Sequence, residues 1–191
     1  MSIHVLKRIE DKIRDLMQNI DYLLYVFISP FKFKPFPKKI RRILVIELLN
    51  MGDIIAMTPV LGALKKRYPQ AKVDLLVNEK MTQALSEKEV GGIIPYVSFQ
   101  KALKKIRQEK YDLGLILHPG SFKISLLVLL GEIKYRVGCT KAGITYGKGF
   151  FLHKKVFPNN KWQHKIEDNL DVVRAIGIVP GEKHVRLSVS K

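Results

Sequence analysis

The sequence predicts an α/β fold in which a Rossmann-like, doubly wound parallel sheet is covered by helices. Three observations predict this class. Short apolar runs rich in β-branched residues alternate with helical patterns along most of the chain. The first such run, residues 43–46, is apolar throughout, which is typical of a strand buried on both faces. A glycine-containing turn and a helical pattern follow it directly, and strand, glycine turn and helix form the opening unit of such domains.

The first half of the predicted domain alternates regularly. The opening strand leads through the turn to a helical pattern that closes at Tyr68-Pro69, and an apolar strand follows. A short helix is then ended by Gly91 and Gly92, and a third strand comes after them. The predicted strands are residues 42–47, 72–77 and 93–99, and the predicted helices are residues 54–67 and 81–86.

The second half continues the alternation. A strongly basic helix precedes a fourth apolar strand, a helix with a long apolar face follows, and the last helix is ended by Gly177. Residues 140–149 are rich in glycine and are typical of a loop. The predicted strands are residues 111–117, 135–138 and 150–156, and the predicted helices are residues 100–109, 122–130 and 165–176.

The charge of the chain demands an anionic partner. The 191 residues include 34 Lys and Arg against 17 Asp and Glu, which gives a net charge of +17. Nucleic acid, an acidic membrane surface, or a phosphorylated or carboxylated substrate would meet this charge. The single cysteine, Cys139, excludes an internal disulfide and a cysteine-cluster zinc site, and a reducing cytoplasmic setting is expected.

Residues 1–39 form a separate segment. Its apolar residues recur at intervals of three and four, on one face of a helix, and are Leu6, Ile9, Ile13, Leu16, Ile20, Leu23 and Phe27. A stretch in which phenylalanines, prolines and lysines interleave follows. The helix could pack on its own domain, pair with a second copy or lie on a membrane. Aromatic residues beside lysines favour a peripheral anchor on anionic lipid, and nucleic acid is the least favoured partner because no nucleic-acid motif is present.

The turn after the first strand, Asn50-Met51-Gly52-Asp53, is the strongest candidate site. Gly52 permits a backbone conformation closed to other residues and lets a ligand approach closely. Asp53 falls at the start of the helix, where it could simply cap free N–H groups. Alternatively, its carboxylate lies at the carboxyl edge of the sheet, placed to take a proton from a hydroxyl group.

The segment ILVIELLNMGDIIAMTPVLGALKKRYPQAKVDLLV resembles the start of the family 9 glycosyltransferases, the lipopolysaccharide heptosyltransferases and their relatives. The segments YDLGLILHPGSFKISLL, YRVG and HKIEDNLDVVRAIGI follow in the family's order, so the resemblance covers about residues 40–178. It implies a glycosyltransferase built from two facing Rossmann-like domains, the GT-B arrangement. The first domain holds the acceptor and a catalytic aspartate, and the second holds the nucleotide-sugar donor.

Carried over to this chain, the resemblance makes Asp53 the general base and Gly52 its turn. The implied reaction is inverting transfer of a heptose or related sugar from a nucleotide-sugar, ADP-heptose, to the inner core of lipopolysaccharide. The implied partners are an anionic glycolipid acceptor and an anionic membrane surface, and the implied location is cytoplasmic, on the inner face of the plasma membrane. No metal and no cofactor beyond the donor are expected, because fixed cations and a helix N-terminus can hold a diphosphate.

Further acceptor contacts are expected after the fourth strand. Gly120 and Ser121 at a helix start, with Lys123 nearby, would suit a carboxylate or phosphate, although a serine N-cap with a solvated lysine explains them equally well. His118 could hydrogen-bond a sugar or fill the loop, and Lys141 lies in a loop that could close over the acceptor. Asn50 and Met51 complete the predicted substrate-binding residues.

The chain departs from the family in two ways. Where relatives usually carry an arginine after the first apolar run, this chain has Glu47. Residues 179–191 correspond to the start of the family's interdomain linker, so the donor domain is expected to be absent and the chain alone could be inactive. The alternative function is therefore a non-catalytic module that binds an anionic glycolipid. His164 and Asn169 match the family's pattern, and a capping role is favoured for them.

Overall fold

The computed structural model describes residues 35–85, 90–117, 121–139, 151–156 and 163–181. The helix predicted within residues 1–39 lies outside these residues. No helix among those described is long and apolar enough to cross a membrane.

The described residues form a sheet of six parallel strands, which confirms the predicted fold class. The strands lie in the order β3-β2-β1-β4-β5-β6, so the chain first winds outward from β1 and then returns to place β4 on the other side of it. The carboxyl end of β1 therefore lies where the winding reverses, and ligands bind at this point in open α/β sheets. The strands are β1 Arg42–Glu47, β2 Lys72–Asn78, β3 Gly92–Tyr96, β4 Leu113–Ile116, β5 Tyr135–Cys139 and β6 Lys154–Val156.

Within the described residues, four α-helices and a short 3-10 helix accompany the strands. The helices are α1 Met51–Arg67, the 3-10 helix Glu79–Ala84, α2 Phe99–Glu109, α3 Phe122–Leu130 and α4 Lys165–Arg174. The predicted strand 93–99 is too long, because Ser98 accepts a hydrogen bond from Lys101 N at 3.3 Å and so begins α2. The predicted strand 150–156 shortens to β6, and α1 begins three residues earlier than predicted.

Each face of the sheet has its own core. On one face, alternate strand residues such as Val45 and Leu115 pack with Met57 of α1 and Val173 of α4. On the other face, residues such as Ile46 pack against α2 and α3, and the members from these helices are Ala102, Ile106, Ile124, Leu127 and Val128. Alternate side chains of one strand thus enter opposite cores, which explains the continuous apolar run of residues 43–46 in β1.

Pro59 lies inside α1, beyond its first turn. Proline has no N–H group, so the carbonyl oxygen of Ile55 loses the donor that an ordinary residue would supply. Thr58 Oγ1 donates a hydrogen bond to this carbonyl oxygen at 2.9 Å. The neighbouring hydroxyl therefore replaces the missing donor and lets α1 continue to Arg67.

The amino end of β1 is held by the carboxylate of the residue directly before β4. Asp112 Oδ2 accepts hydrogen bonds from Arg41 N at 2.9 Å and Arg42 N at 3.1 Å, and Lys134 Nζ lies 2.6 Å from Oδ1. Burial alone would raise the pKa of Asp112, but these hydrogen bonds outweigh it and lower the pKa. The point at which the chain enters the sheet is therefore fixed.

Candidate active site

Asp53 lies in the first turn of α1, directly beyond the carboxyl end of β1. The N-cap residue of this helix is Asn50, so Asp53 is not the N-cap itself, although its side chain caps a free N–H group as the sequence suggested. Asp53 is instead the third helical residue, and its Oδ2 accepts a hydrogen bond from Asn50 N at 3.2 Å. A carboxylate in this position faces unpaired N–H groups and the positive end of the helix dipole. The first turn of the helix therefore orients the carboxylate.

Gly52 does not form the strained turn that the sequence predicted. It lies within α1 and has no left-handed backbone conformation. A Cβ atom built on it would meet only Asn50 Oδ1 at 3.5 Å, an ordinary van der Waals contact. Gly52 is exposed at the start of the helix, so a ligand could reach its backbone.

Lys165 at the start of α4 forms an ion pair with Asp53 of α1. Its Nζ lies 2.6 Å from Asp53 Oδ1, and the two side chains are 19% and 15% exposed. Lys165 is the first residue of α4, where the positive end of the helix dipole disfavours a cation. The carboxylate offsets this cost, and enough exposure remains for a solute to reach both groups.

Glu47 completes a three-residue cluster. It ends β1, its side chain is 1% exposed, and its Oε2 lies 3.9 Å from Lys165 Nζ. Oε1 accepts a hydrogen bond from Leu49 N at 3.2 Å, but Oε2 accepts none from the described residues. Burial raises the pKa of Glu47 to about 7, although Lys165 and the backbone N–H groups of Leu49 and Leu48 oppose the shift. Sequence reasoning noticed Glu47 only as a departure from the family and missed Lys165.

The second predicted site is described only in part. Ser121 is the N-cap of α3, and its Oγ accepts a hydrogen bond from Ile124 N at 3.2 Å. The Nζ of Lys123 lies 5.9 Å from the ring centroid of Tyr96, at the end of β3. These contacts agree with the plain structural interpretation and leave a ligand role untested. His118, Gly120 and Lys141 lie outside the described residues, so their predicted contacts stay predictions.

His164 is the N-cap of α4, as the sequence suggested. Its Nδ1 accepts a hydrogen bond from Ile166 N at 3.2 Å. This cap fixes the first turn of α4, on which Lys165 lies. The site thus depends on two helix starts, those of α1 and α4, which converge beyond the end of β1.

The described residues contain no group of three or more His, Cys, Asp or Glu side chains that could hold a metal ion. A cavity of about 150 Å³ lies away from Asp53, between the end of α1 and the amino end of β2. Its lining residues are Leu61, Lys65, Pro69, Ala71, Lys72, Val73, Val90 and Gly91. The carboxyl-edge cluster and this cavity are therefore distinct features of the molecule.

No family model matches the chain. Among curated proteins, it is 24% identical to lipopolysaccharide heptosyltransferase 3 of Escherichia coli over 147 residues, which are 66% of this chain and 40% of that protein. It is 27% identical to lipopolysaccharide heptosyltransferase 2 of Salmonella typhimurium over 152 residues, 74% of this chain and 42% of that protein. The chain resembles the heptosyltransferases. It spans about 40% of the length of these curated relatives.

Solved structures give the same resemblance at the level of the fold. The glycosyl transferase family 9 protein of Veillonella parvula matches with a TM-score of 0.63 at 20% identity, over 78% of this chain and 45% of that one. The Escherichia coli ADP-heptose lipopolysaccharide heptosyltransferase II matches with a TM-score of 0.60 at 24% identity, over 78% and 47%. Escherichia coli heptosyltransferase WaaC, solved with ADP-2-deoxy-2-fluoro heptose, matches at 0.60 and 21%, over 75% and 51%. The resemblance to family 9 glycosyltransferases is therefore confirmed.

Proposed function

We propose that the chain carries the acceptor-binding and base-carrying half of an inverting glycosyltransferase of the heptosyltransferase type. The observation that carries this proposal is the position of Asp53. Its partly exposed carboxylate lies at the carboxyl edge of β1, where the strand order reverses, within the segment that resembles the start of the heptosyltransferases. This is the edge at which open α/β sheets bind ligands, and a carboxylate there can act on a bound hydroxyl group.

In the proposed reaction, an Asp53 oxygen accepts the proton of an acceptor hydroxyl group. The hydroxyl oxygen forms a bond to the anomeric carbon of the donor sugar as the bond from that carbon to the diphosphate breaks. The diphosphate leaves with the electron pair, and attack from the opposite face inverts the anomeric configuration. Each carboxylate oxygen has two lone-pair sites, so Asp53 can hold Lys165 and the Asn50 N–H group and still accept a proton.

The donor in this proposal is a nucleotide-sugar, ADP-heptose. One heptosyltransferase similar to this chain is named for ADP-heptose, and another was solved with ADP-2-deoxy-2-fluoro heptose. A second domain would supply the donor site, and the acceptor would be the anionic inner core of lipopolysaccharide. The net charge of +17 supports an anionic acceptor and an anionic, cytoplasmic membrane surface, which residues 1–39 would contact as a peripheral anchor.

Heptose transfer in a reconstituted enzyme tests the proposal. The full chain would be combined with a donor domain supplied in trans, and transfer from labelled ADP-heptose to a phosphorylated inner-core fragment would be measured. We expect Asp53→Asn and Asp53→Ala to lower transfer by roughly 10²- to 10⁴-fold, the usual contribution of a general base. Glu132→Gln serves as the control, because Glu132 is exposed at the amino edge of the sheet. Normal turnover by Asp53→Ala would contradict the assignment.

A second candidate function is a binding module without catalysis. It is favoured by the ion pair between Asp53 and Lys165, which occupies Oδ1 of the carboxylate in the structure. In this case, the inner-core fragment should bind the isolated chain, as measured by calorimetry, and added donor domain should produce no transfer at any pH. Binding that is accompanied by Asp53-dependent transfer would exclude this candidate.

A further inference from the structure

The cluster at the end of β1 places two carboxylates against one ammonium group. Lys165 Nζ lies 2.6 Å from Asp53 Oδ1 and 3.9 Å from Glu47 Oε2. The shorter distance is a hydrogen-bonded ion pair, whereas the longer one exceeds the length of a hydrogen bond. In this arrangement, Lys165 therefore bonds to Asp53 and only faces Glu47.

Glu47 has an oxygen that is ready to receive this ammonium group. Its side chain is 1% exposed, and its Oε2 accepts no hydrogen bond from the part of the chain that the structure describes. A buried ionised oxygen without a partner is costly, so an ionised Glu47 must draw a donor toward Oε2. Among the described residues, the cation that faces Glu47 is Lys165, which carries three N–H donors on a flexible side chain.

The other elements around Glu47 bring no competing charge among the described residues. Lys165 faces it from α4 and Asp53 faces it from α1. At this edge, β2 ends in Asn78 and Leu117 directly follows β4, and both residues are uncharged. The protonation of Glu47 is therefore coupled to these two groups.

We propose that Glu47 is a positioning residue that governs how firmly Lys165 holds Asp53. When Glu47 is neutral, Lys165 stays on Asp53 Oδ1 and fills one of its lone-pair sites, which leaves fewer sites for the acceptor proton. When Glu47 is ionised, the ammonium group shifts toward Oε2 and opens this site as well. This inference rests on the proposed function for its catalytic consequence, but the coupling of the three side chains does not.

The coupling would operate near neutral pH. Because burial raises the pKa of Glu47 to about 7, its carboxyl group is neutral below this value and ionised above it. Transfer should therefore rise as the pH rises through about 7. A side chain that only filled the end of β1 would produce no such step.

Carboxyl-carbon NMR on the full chain tests the coupling without any transfer assay. The chain, labelled with ¹³C in Glu and Asp, would be titrated from about pH 5 to about pH 9. We expect the Asp53 signal to change in the same step, near pH 7, as the Glu47 signal, and Glu47→Gln to abolish that step. Glu132→Gln should leave it unchanged. An Asp53 signal without this step, or a step that survives in Glu47→Gln, would overturn the inference.

The transfer assay tests the consequence in the reconstituted enzyme. At about pH 8, Glu47→Gln should lower kcat by about ten-fold with an unchanged KM for the acceptor, and its pH profile should lose the rise near 7. In a Lys165→Met background, adding Glu47→Gln should change the profile no further, because the shared cation is gone. An unchanged profile in Glu47→Gln would overturn the inference while the proposed function stands. A wild type that shows the NMR step but no transfer at any pH would overturn the proposed function and keep the coupling.

Discussion

The side-chain amide of Asn169 in α4 donates a hydrogen bond to the carbonyl oxygen of Ala56 in α1, with 3.4 Å between nitrogen and oxygen. Asn169 is completely buried, and it lies one helical turn beyond Lys165. This contact links the two helices whose first turns carry Lys165 and Asp53. The distance between the two charged groups therefore depends on a polar contact within the core of that face.

We expect Asn169→Ala to destabilise the protein by about 1–3 kcal/mol, because it removes a buried hydrogen bond and leaves a cavity. Urea unfolding measures this change. The variant should also loosen the contact between Lys165 and Asp53. Lys165→Met should then change the rate of transfer less in the Asn169→Ala background than in the wild type. An unchanged unfolding midpoint would show that the packing of α4 on α1 does not depend on this amide.

Gly52→Ala separates a conformational role of Gly52 from a binding role. Because Gly52 has a helical backbone and space for a Cβ atom, alanine should stabilise the protein by up to about 1 kcal/mol. The methyl group should nevertheless weaken binding of the inner-core fragment if the acceptor approaches this backbone. Gly62→Ala is the matched control, since Gly62 lies in the same helix and its added Cβ would meet no atom within 4 Å. Equal binding by both variants would contradict a ligand contact at Gly52.

Thr58→Val tests how α1 accommodates Pro59. The substitution keeps the shape of the side chain but removes the hydroxyl group that satisfies the carbonyl oxygen of Ile55. We expect a loss of stability of about 1–2 kcal/mol in urea unfolding. Thr82→Val is the control, because Thr82 makes the same kind of bond to Glu79 O at 2.8 Å in an exposed turn, where water can replace it. Similar losses of stability in both variants would mean that the hydrogen bond of Thr58, next to the proline, contributes no more than that of Thr82.

The buried carboxyl group of Glu47 should make stability depend on pH in a defined window. Its folded-state pKa is about 7 against an ordinary value of 4.5, so the folded protein binds the proton more tightly than the unfolded chain does. Stability contributed by this group is therefore lost as the pH rises from about 4.5 to about 7, by about 3 kcal/mol in total. Glu47→Gln should lack this loss, as measured by urea unfolding at several pH values.

The comparison between Glu47→Gln and wild type isolates this window from other carboxyl groups. The pKa of Asp112 is lowered from 3.8, so its contribution is lost only as the pH falls below this value. Glu132→Gln controls for the change of net charge. Parallel stability curves for wild type and Glu47→Gln between pH 4.5 and 7 would contradict the raised pKa of Glu47.

Local sequence signals predicted much of the fold and one half of the site. The bounds of α3 match the prediction, because Ser121 caps its start and the apolar run defines its length. The start of α1 was missed because Gly52 suggested a turn, although Asn50 followed by Asp53 three residues later resembles a capping box. Both errors and successes thus reflect how clearly a helix start is marked in the sequence.

The partner of Asp53 could not be predicted in the same way. Lys165 is far from Asp53 in sequence, and only the packing of α4 against α1 brings them together. One signal was present: a lysine as the first residue of a helix opposes the helix dipole and so calls for an anionic neighbour. The sequence does not say which of the carboxylates supplies it. The burial of Glu47 likewise follows from neighbouring strands rather than from its own surroundings in the chain.

The clamp of Asp112 on the backbone of Arg41 and Arg42 fixes the chain's entry at the edge of the sheet opposite to Asp53. The six residues of β1 separate these edges by about 20 Å. A membrane tether through residues 1–39 would thus hold the domain at the edge of the sheet that is far from Asp53. With such a tether, either β1 lies along the membrane surface, or the sugar of the acceptor must extend about 20 Å from that surface to reach Asp53. The length of a glycolipid headgroup, and not only its charge, would then decide whether it can reach Asp53.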